Sequence, residues 1–216
     1  MTNYFPIHLN IDYKTVVIVG GGHVATQKVA SLLPTKANVV IVSPTLHETL
    51  VPLAEQGQIT WREKAFEPRD LDDASLIIAA TNDPTVNEAV QEAAQHWQLL
   101  NRADAQGTSD FIAPATVRRG QLVLTVSTSG ASPALARKIK KDLAEQFDDI
   151  YEDYVSFLQQ ARLMISATIE KGEKRSTALK ALLDPTLLDW TRCGDFEKRE
   201  AFLQQLLTGE SQWVME

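Results

Sequence analysis

The first hundred residues alternate short, unbroken apolar runs with segments of helical spacing. Thr15–Val19 is apolar or β-branched at every position, which predicts a strand buried on both faces rather than on one. Three glycines follow, and Ala25, Val29, Leu32 and Leu33 then recur at helical spacing until Pro34. Asn38–Val42 is a second buried strand, ended by Ser43-Pro44. Leu46–Ala54 reads as a short helix and Ile59–Arg62 as a third strand. Leu76–Ala80 is a fourth strand, and Asn82-Asp-Pro84 opens a helix expected to run through Trp97. Gln98–Asn101 makes a weaker fifth strand. Apolar strands separated by helices imply a parallel sheet covered on both faces, the Rossmann-type α/β class.

The pattern changes after Asp104. Phe111–Val117 and Gln121–Ser127 are strand-like runs joined by Arg118-Arg-Gly120, a hairpin signal rather than a crossover. Ser132-Pro133 then opens a helix, with Ser as cap and Pro in the first turn. Beyond it the chain reads as helical. Leu135, Ile139 and Leu143 form one stripe, Tyr151, Val155, Leu158 and Leu163 a second, Phe202, Leu206 and Leu207 a third. A small α+β region followed by a helical C-terminal region is therefore expected, with the architecture changing near residue 113.

Composition narrows the classes. The 216 residues carry 21 Lys and Arg against 28 Asp and Glu, a formal charge of −7, which argues against a non-specific nucleic-acid binder. One cysteine, Cys193, allows no internal disulfide, so a reducing, cytoplasmic setting is expected. No signal-peptide pattern opens the chain. The longest charge-free stretch, Gly120–Ala136, is broken by Ser, Thr, Gly and Pro and suits no membrane span.

Several residues could carry chemistry. Gly20-Gly-Gly-His-Val-Ala25 matches the dinucleotide fingerprint between strand and helix. Gly20 allows the tight turn, Gly22 admits a pyrophosphate to the backbone, and Ala25 keeps helix and strand close. The usual acidic residue for the adenine ribose is absent after the second strand. No Arg stands there for a 2′-phosphate either, so these residues leave NAD and NADP open. Ser43 could donate to a ribose hydroxyl, or Ser43-Pro44 could be only a turn. Residues 114–141 carry Arg118, Arg119, Arg137, Lys138, Lys140 and Lys141 with no acid, either a polyanion receptor or a solvated face. No metal-ligand spacing and no hydrolase elbow occur, so no resident metal is expected. Asp104 lies just past the fifth strand, where open α/β sheets place ligands, and reads as catalytic or as a loop cap.

Taken together, the motifs resemble the precorrin-2 dehydrogenase / sirohydrochlorin ferrochelatase family, the amino-terminal region of siroheme synthases. The matching segments are Phe5-Pro-Ile7, Val19–Ala25, Ala79-Ala-Thr-Asn-Asp83, Asn101-Arg-Ala-Asp104, Phe111-Ile-Ala-Pro114 and Val126–Pro133 followed by Ala134-Leu-Ala-Arg137. They occur in family order over roughly residues 3 to 145, and the remainder looks like the stand-alone bacterial type. The resemblance implies NAD-dependent oxidation of precorrin-2 to sirohydrochlorin, on the way to siroheme, with iron insertion in some members. It implies that Gly20, Gly22, His23 and Val24 meet the pyrophosphate region and that Ser43 and Pro44 lie near the adenosine. Thr81 joins this cofactor set. Asp104 matches the family's essential aspartate, a general base or an aid to chelation. Ser127, Ser129 and Ser132 match a serine-rich loop near the tetrapyrrole, although Ser-Thr-Ser-Gly-Ala stands where relatives often have Ser-Ser-Gly-Gly-Thr.

The basic segment, Arg137 and Lys138 included, then gains a specific partner in the polycarboxylate tetrapyrrole. The exposed edges of the hairpin suggest pairing with a second copy, giving a homodimer. The expected division is a nucleotide-binding domain over 1–113, a dimerisation and substrate-binding region over 114–147, and a helical domain over 148–216. The competing reading is a non-catalytic nucleotide sensor of the potassium-channel regulatory type. That class would want an acid ending the second strand and leaves the basic segment unexplained.

Overall fold

The computed structural model describes residues 4–104 and 108–209. Two compact units divide at Ala113 and Pro114. In the first, β1 (Thr15–Val19), α1 (His23–Leu32), β2 (Asn38–Val42), α2 (Val51–Glu55), β3 (Thr60–Arg62), β4 (Leu76–Ala79), α3 (Pro84–Ala93) and β5 (Leu99–Arg102) follow in order, with a 3-10 turn at Pro68–Leu71. The five strands form one parallel sheet in the order β3-β2-β1-β4-β5. Val16 and Ile18 of β1 enter one apolar cluster with Val29 of α1, whereas Val17 and Val19 enter another with Val90 of α3. Both faces are covered, which is why the strands read as continuous apolar runs. Order reverses between β1 and β4, so a crevice opens at their carboxyl ends.

Three boundaries differ from expectation, each for a local reason. The helix expected over Leu46–Ala54 is confined to Val51–Glu55, because the chain first turns back so that the His47 amide donates to the Gly21 carbonyl at 2.7 Å. α3 stops at Ala93 rather than Trp97. There the buried Gln98 accepts from the Gln95 amide at 2.8 Å, while its Nε2 donates to the Leu71 and Ala74 carbonyls at 2.6 and 2.8 Å. The strand expected from Phe111 begins instead at Ala115, since residues 109–111 are held against β5. The Leu100 amide donates to Asp110 at 2.8 Å, the Arg102 amide to Ser109 Oγ at 2.8 Å, and Asn101 Nδ2 to the Phe111 carbonyl at 2.9 Å.

The second unit begins with the antiparallel hairpin of β6 (Ala115–Arg119) and β7 (Leu122–Val126), which packs on α4 (Pro133–Gln146). Ser132 caps α4 by accepting from the Leu135 amide at 3.2 Å. Helices α5 (Ile150–Thr168), α6 (Glu173–Ala181), α7 (Pro185–Cys193) and α8 (Phe196–Thr208) share a core around Phe157, Ile165, Leu187 and Leu203. Among the described residues no helix is long and apolar enough to cross a membrane. None of their His, Cys, Asp and Glu side chains cluster so as to hold a metal ion.

Candidate active site

The glycine loop occupies the carboxyl end of β1, and each glycine answers a different constraint. Gly20 has φ +113°, and a Cβ there would stand 2.4 Å from the Ala80 carbonyl oxygen. Its amide donates to the Val42 carbonyl at 2.9 Å, so the loop is fixed between its two neighbouring strands. A Cβ on Gly21 would meet the Thr45 carbonyl at 2.2 Å. Gly22 differs from both. Nothing lies within 4 Å of where its Cβ would be, it is the N-cap of α1, and no side chain caps that helix.

This open cradle faces a cavity of about 470 Å3 that contains every one of the seven residues expected to meet the cofactor: Gly20, Gly22, His23, Val24, Ser43, Pro44 and Thr81. Phe66 and Val86 add apolar wall. The first turn of α1 carries no acid, so its amides present an unopposed positive helix end to an anion. The carboxylate among the described lining residues, Asp83, is already committed. It caps α3 by accepting from the Thr85 hydroxyl at 2.7 Å and amide at 2.9 Å, and these bonds hold it below the usual carboxylate range. A glycine cradle, a bare helix end and an apolar slot fit a dinucleotide. His23 stacks obliquely on His47 with ring centroids 4.8 Å apart, which joins the helix start to the loop after β2.

Ser43 is buried, with its carbonyl accepting from Trp61 Nε1 at 3.0 Å and its amide donating to the Arg62 carbonyl at 3.2 Å. The β2 terminus is therefore locked onto β3. The opposite wall is locked by a side chain that sequence reasoning missed. Asn87, almost fully buried on α3, spans Thr81: its Oδ1 lies 2.9 Å from the Thr81 hydroxyl and accepts from the Thr81 amide at 3.3 Å, while its Nδ2 donates to the Thr81 carbonyl at 3.1 Å. Its spacing from Asp83, one helical turn on, was the available signal.

Asp104 does not line this cavity. Arg102 grips it in two-pronged fashion, Nε to Oδ1 at 3.2 Å and Nη2 to Oδ2 at 2.9 Å, while Arg102 Nη1 donates to Gln91 at 2.8 Å. The Arg102 guanidinium, aided by Asn87, keeps the Asp104 carboxyl below its ordinary value despite some desolvation. Asp104 is thus a fixed anion, joined through Asn87 to the Thr81 wall. Arg102 stands two residues before Asp104 in the Asn101-Arg-Ala-Asp104 motif, a spacing that lets its guanidinium reach that carboxylate.

The other candidates lie in the second unit. Ser127 and Ser129 are exposed, and Ser129 has φ +50° with its amide bonded to Ser127 Oγ at 3.1 Å. The Ser132 amide donates to Thr128 Oγ1 at 3.0 Å, so this loop is knotted by its own hydroxyls. Arg137 and Lys138 are exposed on α4, whereas Arg119 pairs with Asp149 at 3.0 Å.

Comparison with known proteins agrees with this geometry. Residues 7–115 match a family model described as putative NAD(P)-binding, and residues 119–146 match one described as sirohaem biosynthesis protein central. A precorrin-2 dehydrogenase of Priestia megaterium is 32% identical over 202 residues, covering 94% of this chain and 98% of the relative. The chain belongs to the precorrin-2 dehydrogenase family. The solved structure of SirC, a precorrin-2 dehydrogenase, superposes with a TM-score of 0.79 at 31% identity, over 94% of this chain and 98% of that one. The fold is thus that of the family throughout. A siroheme synthase of Nitrosococcus oceani is 34% identical over 95% of this chain but only 44% of its own length, so the chain spans less than half of such relatives. Family membership favours a nicotinamide-using enzyme over the nucleotide-sensor reading.

Proposed function

We propose that this chain oxidises precorrin-2 to sirohydrochlorin with NAD as acceptor, in siroheme biosynthesis. The carrying observation is a glycine-cradled cavity in a chain matched over 94% of its length by a precorrin-2 dehydrogenase. NAD held by the glycine loop would supply a hydride acceptor for the substrate, while the proton lost with that hydride would pass to a base of this chain. Gly20, Gly22, His23 and Val24 hold the pyrophosphate, Ser43 and Pro44 border the adenosine, and Asn87 fixes the Thr81 wall. Asp104 receives the proton; its Arg102 partner orients it and keeps it ionised at neutral pH, at some loss of basicity. The serine loop (Ser127, Ser129, Ser132) with Arg137 and Lys138 receives the substrate carboxylates.

Absence of Arg or Lys directly after β2 supports NAD over NADP. The segment 114–147 serves as the dimer and substrate region, 148–216 as its helical extension, and the enzyme works in the cytoplasm. Purified protein given enzymatically made precorrin-2 and NAD should raise absorbance of reduced nicotinamide in step with sirohydrochlorin. Binding of NAD without any reduction defeats this reading. Subsequent addition of ferrous iron or cobalt to the same mixture tests for chelation.

A further inference from the structure

Although no cation follows β2 in the sequence, the fold brings two to its end. β3 lies beside β2 with Arg62 in register with Val42, the last residue of β2, and Val42 lines the cavity. Lys64 follows two residues on, just before Ala65 and Phe66, which also line it. Arg62 and Lys64 therefore flank the corner at which this fold class receives the adenine ribose. None of the described lining residues is itself Lys or Arg.

Both cations are already occupied. Asp70, 5% exposed in the 3-10 turn, takes Arg62 Nη1 on Oδ1 at 3.2 Å and Lys64 Nζ on Oδ2 at 3.0 Å. It also accepts from the Glu67 amide at 2.9 Å, and Glu67 returns a second carboxylate to Lys64 at 3.1 Å. Residues 62–70 hold three cationic and three anionic side chains, so the corner is locally neutral. A phosphate monoester there would have to pull Arg62 or Lys64 off a buried carboxylate, stripping Asp70 of one of its two cationic partners.

We propose that Asp70 determines the choice between the two nicotinamide dinucleotides, by holding Arg62 and Lys64 away from the ribose so that a 2′-phosphate meets no available cation. This rests on the dinucleotide reading of the cavity and names the residue that makes it selective. Electrostatically, the clamp is self-consistent. Burial alone would raise the Asp70 carboxyl, yet the Glu67 amide with Lys64 and Arg62 keeps it below the ordinary value and ionised.

The test is equilibrium binding of NAD and NADP, by quenching of intrinsic fluorescence or by calorimetry, with no tetrapyrrole present. Native protein should favour NAD. Asp70→Asn keeps the side-chain volume, frees Arg62 from its carboxylate and leaves Lys64 to Glu67 alone, so NADP should bind roughly 10- to 100-fold more tightly, the worth of one charge-assisted contact, with NAD little changed. Adding Arg62→Gln and Lys64→Gln to that variant should abolish the gain. A folded Asp70→Asn protein with unaltered NADP affinity overturns the proposal. Should that variant not fold, Arg62→Gln with Lys64→Gln beside native Asp70 decides: unchanged NADP affinity is expected, and a tenfold loss shows the cations already serve the phosphate and overturns it. Native protein that binds neither dinucleotide refutes the cofactor reading itself.

Discussion

Gly20 and Gly22, two positions apart in one loop, should fail in opposite ways when given a side chain, and the contrast separates folding from binding. Gly20→Ala places a methyl 2.4 Å from a backbone oxygen and 2.8 Å from its carbonyl carbon, on a residue with φ +113°. The backbone strain alone costs about 1–3 kcal/mol, and Ala80, buried just past β4, is tied to β1 by its amide donating to the Val19 carbonyl at 2.8 Å. A Cβ on Gly22 meets nothing within 4 Å, and φ there is −91°, which any residue adopts. Losing glycine at an N-cap costs a few tenths to about 1 kcal/mol, and the stiffer unfolded chain returns about 0.4–1 kcal/mol. Its stability should therefore stay within about 1 kcal/mol of native. The isopropyl group, however, fills the cradle. Loss of one amide contact to a charged phosphate, about 1.5–3 kcal/mol, weakens NAD binding roughly 10- to 150-fold. Urea unfolding midpoints and NAD titrations on both variants give the answer. A folded Gly22→Val protein that binds NAD normally, or a Gly20→Ala protein of native midpoint, refutes the argument.

Four further outcomes are expected. Asp104→Asn should lower turnover on precorrin-2 by ~100- to 10,000-fold with NAD affinity intact, and near-native turnover would reduce Asp104 to a loop cap. Arg137→Ala with Lys138→Ala should mainly raise KM for the tetrapyrrole, and added salt should mimic the change; a pure kcat effect would contradict their binding role. Because Asp70 is depressed in the folded state, its stabilisation is complete above about pH 4, the ordinary carboxylate value, and disappears as pH falls through its lowered pKa. Asp70→Asn should accordingly flatten the acid limb of a stability–pH curve, and an unchanged limb would count against the clamp. Sedimentation at micromolar concentration should show a homodimer held through residues 114–147, and a fully active monomer would dismiss it.

The buried sheet was legible because Thr15–Val19, Asn38–Val42 and Leu76–Ala79 are apolar at each or nearly each position, and the glycine loop because its spacing is a local steric requirement. Features that depend on long-range pairing were not. Arg62 becomes a neighbour of the β2 terminus only through strand register, and Asp70 meets it only because the 3-10 turn folds back. Asn87 looks like an ordinary polar helix residue until its side chain is found wrapped around Thr81. The early end of α3 depends on Gln98 finding the Leu71 and Ala74 carbonyls, 27 and 24 residues away in sequence. Periodicity carries no trace of such bonds.

The side chains that hold residues 109–111 against β5 also decide where another chain can attach. Leu100 and Arg102 turn their backbone groups away from β4, and all four are used: two amides by Asp110 and Ser109 side chains, two carbonyls by the Asp110 amide at 2.8 Å and the Ser109 hydroxyl at 3.4 Å. An open parallel sheet normally ends in a row of free donors and acceptors on which a further strand can template. At β5 that row is spent within the chain, with no added strand. Growth of this sheet by edge-to-edge pairing, whether into an ordered dimer or into an aggregate, is thereby blocked on that side. A second copy must find its contacts elsewhere on the molecule.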